Sequence, residues 1–106
     1  MGASLEDVRD FPPDARQAAG YELRRVQMGS MPTDWKSIPS VGPGVNELRI
    51  HMHLEYRVLY VAKFEEAVYV LHAFEKKSRQ TRDTDLALAR ERLRQVQVLR
   101  REAREK

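Results

Sequence analysis

Cysteine is absent from this chain of 106 residues, which excludes a disulfide framework and any thiolate-ligated metal. Long apolar runs are absent too. No stretch reaches the roughly 18 residues that a membrane-crossing helix needs, and no secretory h-region is present, so a soluble cytoplasmic protein with no membrane partner is expected. Aromatic residues make up only 8% of the chain, and the excess of positive charge is small, 19 Lys+Arg against 16 Asp+Glu, for a net +3. A total that mild says little about nucleic acid; its distribution says more. Lys76, Lys77, Arg79 and Arg82 crowd into seven residues, and six more arginines follow between Arg90 and Arg104. The length suits one domain, residues 1–106, with a single core.

The stretch from Val45 to Lys77 organises the rest. β-branched and aromatic residues dominate it, and two short interruptions, at Met52 to Leu54 and at Glu65-Glu66, divide it into three strands of an antiparallel meander. With a three-residue first loop and a tight second turn, Leu48, Ile50, Tyr56, Val58, Tyr60, Ala62, Tyr69, Leu71 and Ala73 share a core face. The opposite face carries Glu47, Arg49, His51, Arg57, Leu59, Val61, Val70, His72, Phe74 and Lys76. Arg49 and Arg57 then lie directly across from each other on a surface suited to phosphate.

Ser4-Leu5-Glu6-Asp7 reads as a capping box opening a short helix that Pro12-Pro13 ends. Asp14 to Gln27 follows as a second helix, its apolar stripe running through Ala15, Ala18, Ala19, Leu23 and Val26. Gly20 in its middle calls for a close backbone contact, and Gly29 is the expected C-cap. Ser30 to Gly44, with three prolines and two glycines, reads as an ordered loop anchored by Trp35, Ile38 and Val41. A final helix from about Thr84 to Arg101, capped by Thr81 or Asp83, shows a narrow stripe of Leu86, Ala89, Leu93 and Val96, continuing to Leu99 or Arg100.

Arginines in the middle of apolar strands need a partner or open water. Solvated pairs with Glu47, Glu55 or Glu75 are one reading of Arg49, Arg57, Lys76 and Lys77; a phosphate gripped by forked guanidiniums, with an ammonium adding charge, is the other. His51 and His53 share a strand face but have no third ligand at metal spacing, so no metal or other cofactor is expected. His72 suits general acid–base chemistry or a satisfied core position. Phe74 and Trp35 could stack an unpaired base or fill the core. The chain has no P-loop, GxGxxG, nucleophile elbow or HExxH motif.

Several runs carry a family resemblance: FPPDARQAAGYELRRVQMG, PTDWK, VNELRI, YRVLYVAKF and above all AVYVLHAFEKKSRQT followed by DTDLALAR. From about Ser4 to about Leu93 the chain resembles the phage-related branch of the RelE/HigB toxins, within the RelE/ParE superfamily. The resemblance implies an α+β domain of RelE-like fold, with an N-terminal helical hairpin packed on a three-stranded antiparallel meander and a C-terminal helix. Relatives usually carry a further strand ahead of the first helix, where this chain has Met1-Gly2-Ala3, so either the start is misplaced or the sheet is a strand short. The implied activity is messenger-RNA cleavage, usually on the ribosome, silenced by a cognate antitoxin that is often a helix-turn-helix protein. DNA is then met only through the toxin–antitoxin complex. Arg57, Lys76 and Lys77 fall where such toxins carry basic functional residues. The expected site joins Arg49, Arg57, Lys76 and Lys77 as catalytic groups with Phe74, His72 and Arg79 as RNA contacts. Two rivals stand beside the nuclease: a ParE-like protein that inhibits DNA gyrase, and an inactive relative that only binds its antitoxin.

Overall fold

Period-two alternation through the middle of the chain builds a sheet, and period-3.6 stripes on either side build the helices that cover it. A computed structural model describes residues 7–64, 67–77 and 83–105. A helical turn at residues 7–9 leads to helix α1 (Pro13–Gln27), strands β1 (Trp35–Ser37), β2 (Val45–His51), β3 (Glu55–Val61) and β4 (Tyr69–Glu75), and helix α2 (Asp83–Glu105). The strands pair in the order β1-β2-β3-β4, each antiparallel to its neighbour. This is the expected α+β class, with a sheet one strand larger than the meander.

The added strand is β1, in the segment read as loop. Trp35, Lys36 and Ser37 pair with Leu48, Glu47 and Asn46. Three residues between Pro32 and Pro39 are too few to show alternation, so hydropathy carries no sign of them. Trp35 is no core anchor, being 40% exposed, whereas Ile38 and Val41 do pack into the core. The segment is ordered as expected. Glu22 on α1 accepts from the Thr33 N–H at 2.9 Å and from its hydroxyl at 2.6 Å, and Arg90 on α2 donates to the Ser40 carbonyl at 2.8 Å. The expected capping box at Ser4 and the question of a strand ahead of it fall on residues 1–6, outside the described residues, as does Thr81.

The first hairpin turns through residues 52–54 as the spacing requires, and Arg49 pairs with Arg57. The second differs. Strand β3 ends at Val61 and β4 begins at Tyr69, so the connection runs from 62 to 68 instead of turning tightly at Glu65-Glu66, which lie outside the described residues. The expected register holds from Arg57↔Phe74 to Leu59↔His72, then a bulge after Leu59 slips it by one and sets Tyr60 against Val70. Val70 therefore turns to the α1 side, and Tyr69 and Leu71 to the α2 side.

Both faces of the sheet are covered. Ala15 and Ala19 of α1 pack on Leu48, Ile50, Tyr56, Val58 and Tyr60, while Ala89, Leu93 and Val96 of α2 pack on Val45, Leu59, Val61 and Leu71. Burying a Leu or Val of this kind contributes about 1.5–3 kcal/mol. The face read as open and anion-seeking is thus half core: α2 occupies its far end and leaves the part around Arg49 and Arg57. Gly42 permits the close approach of α2, because a Cβ there would run into Leu93 Cδ2. Beyond Val96 the stripe passes to Arg100, whose guanidinium lies 3.8 Å from the Phe64 ring centroid, while Leu99 is half exposed.

Helix α1 ends as its sequence dictates. Gly29 takes φ 89°, and its N–H and that of Ser30 bond back to Val26 O and Arg25 O at 3.0 and 2.9 Å. Gly20 needs no such explanation: it is exposed, and a methyl group there would touch nothing within 4 Å. Gly20→Ala is expected to stabilise the fold by about 1 kcal/mol, read as a higher urea midpoint with an unchanged slope.

Candidate functional site

The uncovered end of the sheet is built from a spacing used twice. Glu47-Leu48-Arg49 on β2 and Glu55-Tyr56-Arg57 on β3 each place a carboxylate and a guanidinium two residues apart, hence on one face. Register sets Arg49 against Arg57, and like charges directly opposite repel. Glu47 relieves that repulsion. Its carboxylate, 97% buried, accepts from Arg49 Nε at 3.2 Å and lies 3.5 Å from Arg57 Nε. Arg57 is itself nearly buried, at 6% exposure; Nη1 donates to Glu55 Oε1 at 3.2 Å and to the Tyr56 carbonyl at 3.0 Å. Its buried Nε faces Glu47 at ion-pair distance and makes no hydrogen bond among the described residues.

His51 extends the network toward solvent. Its Nδ1 lies 2.7 Å from Glu55 Oε1 and its Nε2 2.5 Å from Asp34 Oδ2, with the ring half exposed. The bonds to Asp34 and Glu55 raise the imidazole above its usual pKa of about 6.5. The same bond from His51 holds Asp34 below the ordinary carboxylate value. For Glu55 desolvation pushes upward, but the bonds from His51 and Arg57 outweigh it and the net shift is down. A raised histidine adds stability that is complete below its unfolded pKa and is lost as pH climbs through the folded value. The lowered carboxylates add stability lost as pH falls through theirs. An NMR titration should therefore place the His51 midpoint above 6.5 and lower it in Asp34→Asn; an unchanged midpoint would sever the link.

On the neighbouring strand Phe74 lies opposite Arg57 and stacks on His72, with centroids 4.9 Å apart and planes at 22°. His72 is buried, and both its nitrogens face carboxylates: Nε2 is 2.7 Å from Asp85 Oδ1 and Nδ1 3.4 Å from Asp7 Oδ2. Arg92 completes the group by donating to Asp7 Oδ2 at 2.8 Å and to the Leu71 carbonyl at 3.0 Å. This imidazole ties three elements together. Lys76 continues β4, its N–H bonded to the Glu55 carbonyl at 2.8 Å, and Lys77 is exposed; among the described residues neither ammonium has an ion-pair partner. Arg79 lies outside the described residues. His53 is exposed in the loop, and among the described residues no group of three or more His, Cys, Asp or Glu is arranged to hold a metal.

The structure thus gathers Arg49, Arg57 and Phe74 on one surface, puts His72 beneath it and sets Lys76 and Lys77 at the strand's end. Two guanidiniums and the His51 imidazole meet three carboxylates there, so any positive surplus comes from the lysines. Asp34 is the member that the sequence hid, because it reaches His51 across 17 positions from a loop. The repeated Glu-x-Arg was visible and identifies four of the other five; His51 lies outside it. A model of the phage-derived Gp49-like family matches residues 6–94. The chain belongs to that family. Gp49-like proteins are a family of RelE-like toxins, and the matched span takes in every side chain of the network just described. Neither the curated proteins nor the solved structures give a match. No helix among the described residues of this Gp49-like chain is long and apolar enough to cross a membrane.

Proposed function

We propose that this Gp49-like chain is the HigB-like toxin of a type II toxin–antitoxin pair and that it cleaves messenger RNA on translating ribosomes without a metal, in the cytoplasm. The observation that carries this reading is the facing pair Arg49 and Arg57 beside Lys76 and Lys77, whose ammoniums have no ion-pair partner among the described residues. Guanidinium forks and ammoniums without a carboxylate of their own suit the oxygens of a phosphate.

Cleavage by attack of a ribose 2′-hydroxyl on the adjacent phosphate needs a proton acceptor, a donor to the leaving 5′-oxygen and charge on the phosphorane. Arg57 and Arg49 stabilise the phosphorane, with Lys76 and Lys77 adding point charges. Glu55 is placed to accept the proton, and His51, half exposed and bonded to Glu55, supplies one to the leaving oxygen. Phe74 stacks a base with the ring face turned away from His72, and Arg79 adds a phosphate contact. An antitoxin, a helix-turn-helix protein in this reading, silences the toxin by setting negative charge against Lys76 and Lys77.

A second reading draws on Glu47 and Glu55, which neutralise the two guanidiniums in place. A charge-balanced surface suits a protein partner, as in a gyrase inhibitor or an antitoxin-binding relative without activity. Sequencing transcript ends after induction separates these. Codon-linked breaks support the nuclease; intact messages with DNA damage support the gyrase inhibitor; unchanged growth with folded protein supports the inactive relative.

A further inference from the structure

Around the end of the edge strand β4 the turn preceding α1 and the tip of the first hairpin line an open groove of about 460 Å³. Phe11, Tyr56 and Phe74 form its apolar wall, and Asp7, Asp10 and Glu75 its rim. Among the described residues no lysine, arginine or histidine lines it. That is unusual in a chain with more basic than acidic residues. Asp7 is engaged by Arg92, but Asp10 and Glu75 make no ion pair among the described residues.

Tyr56 turns an unpartnered polar group into the same space. The residue is 96% buried against Phe11, with ring centroids 4.8 Å apart, and its hydroxyl, the part that stays open, has no hydrogen-bond partner among the described residues. Burial, and then the charges of Glu75 and Asp14, raise its pKa, as a negative local potential requires.

We propose that this groove docks a basic segment of a partner protein, receiving one arginine whose aliphatic stem lies on Phe11, Tyr56 and Phe74 and whose guanidinium bonds Asp10 and Glu75. A guanidinium offers a planar fork to two carboxylates, can donate to the idle tyrosine hydroxyl and gains further from the aromatic faces. A nucleic-acid segment is disfavoured here, since its phosphates would face the carboxylates while the available cations lie on the Arg57 side. The inference goes beyond the nuclease reading and shares with it the Phe74 ring.

The test titrates the isotope-labelled full chain with an acetylated Ala-Leu-Arg-Leu-Ala amide, the same peptide with Glu in place of Arg, and a uridine hexanucleotide. The expected result is saturable shifts of the Phe11, Tyr56 and Glu75 signals with the arginine peptide alone, and binding weakened at least tenfold in Asp10→Asn/Glu75→Gln. Both replaced side chains reach solvent, so the variant should fold, and its spectrum reports whether it does. No shift with the arginine peptide, equal shifts with the glutamate peptide or the RNA, or undiminished binding by the folded double variant would each overturn the proposal.

Discussion

Arg57→Lys is expected to abolish growth arrest and to cut RNA cleavage at least 100-fold while the protein remains folded. Removing one preorganised donor from an oxyanion site costs about 10² to 10³ in rate, and lysine cannot reproduce the guanidinium fork. Lysine is a more discriminating replacement than alanine here. Arg57 is nearly buried beside Glu47, and truncating it would take a guanidinium away from that buried carboxylate, mixing lost stability with lost chemistry. An ammonium preserves the countercharge. Transcript-end sequencing and growth curves after induction, beside a thermal melt of the purified variant, separate the two effects. A folded Arg57→Lys protein that cleaves as well as wild type would remove Arg57 from the chemistry.

Glu47→Ala should produce the largest loss of stability in the chain, about 3–5 kcal/mol, the cost typical of breaking a buried ion pair from one side. The reason is specific to this register. Without that carboxylate Arg57 sits buried with Glu55 as its remaining carboxylate, itself shared with His51, and Arg49 stands directly opposite with like charge. In a domain of this size such a loss lowers Tm by roughly 15 °C or more. Glu47→Gln, which keeps an acceptor oxygen but no charge, should fall between. A loss below about 1 kcal/mol for the alanine variant would mean that the guanidiniums had found water instead of each other.

Most of the sheet could be read from the chain because alternation over seven residues is a strong signal, and a three-residue loop then fixes the partner of every position. That is why Arg49 and Arg57 were expected face to face and are. Where the signal was ambiguous the structure departed from it. Val70 and Leu71 are both apolar, so nothing in their hydropathy could place the bulge that decides which of them faces α1. Three residues at Trp35 to Ser37 are too few to reveal a period. Alternation also assigns a residue to a side without saying what covers that side; Arg57 and His72 were assigned to the polar face and lie beneath other groups on it. The stripe of α2 was plain, but only the packed structure shows how far up the sheet the helix reaches. For Gly20 the mid-helix position suggested a neighbour, and its surroundings are solvent.

The bond from Arg92 to Asp7 spans 85 positions, and His72 sits between the two elements that it joins. The first and last helical segments are therefore fastened to the same point on the edge strand. A protein that levers the long C-terminal helix off the sheet must also unfasten the opening turn, whose Asp7, Asp10 and Phe11 wall the acidic groove. Displacement at one end of the molecule and loss of the arginine socket at the other would then be a single event.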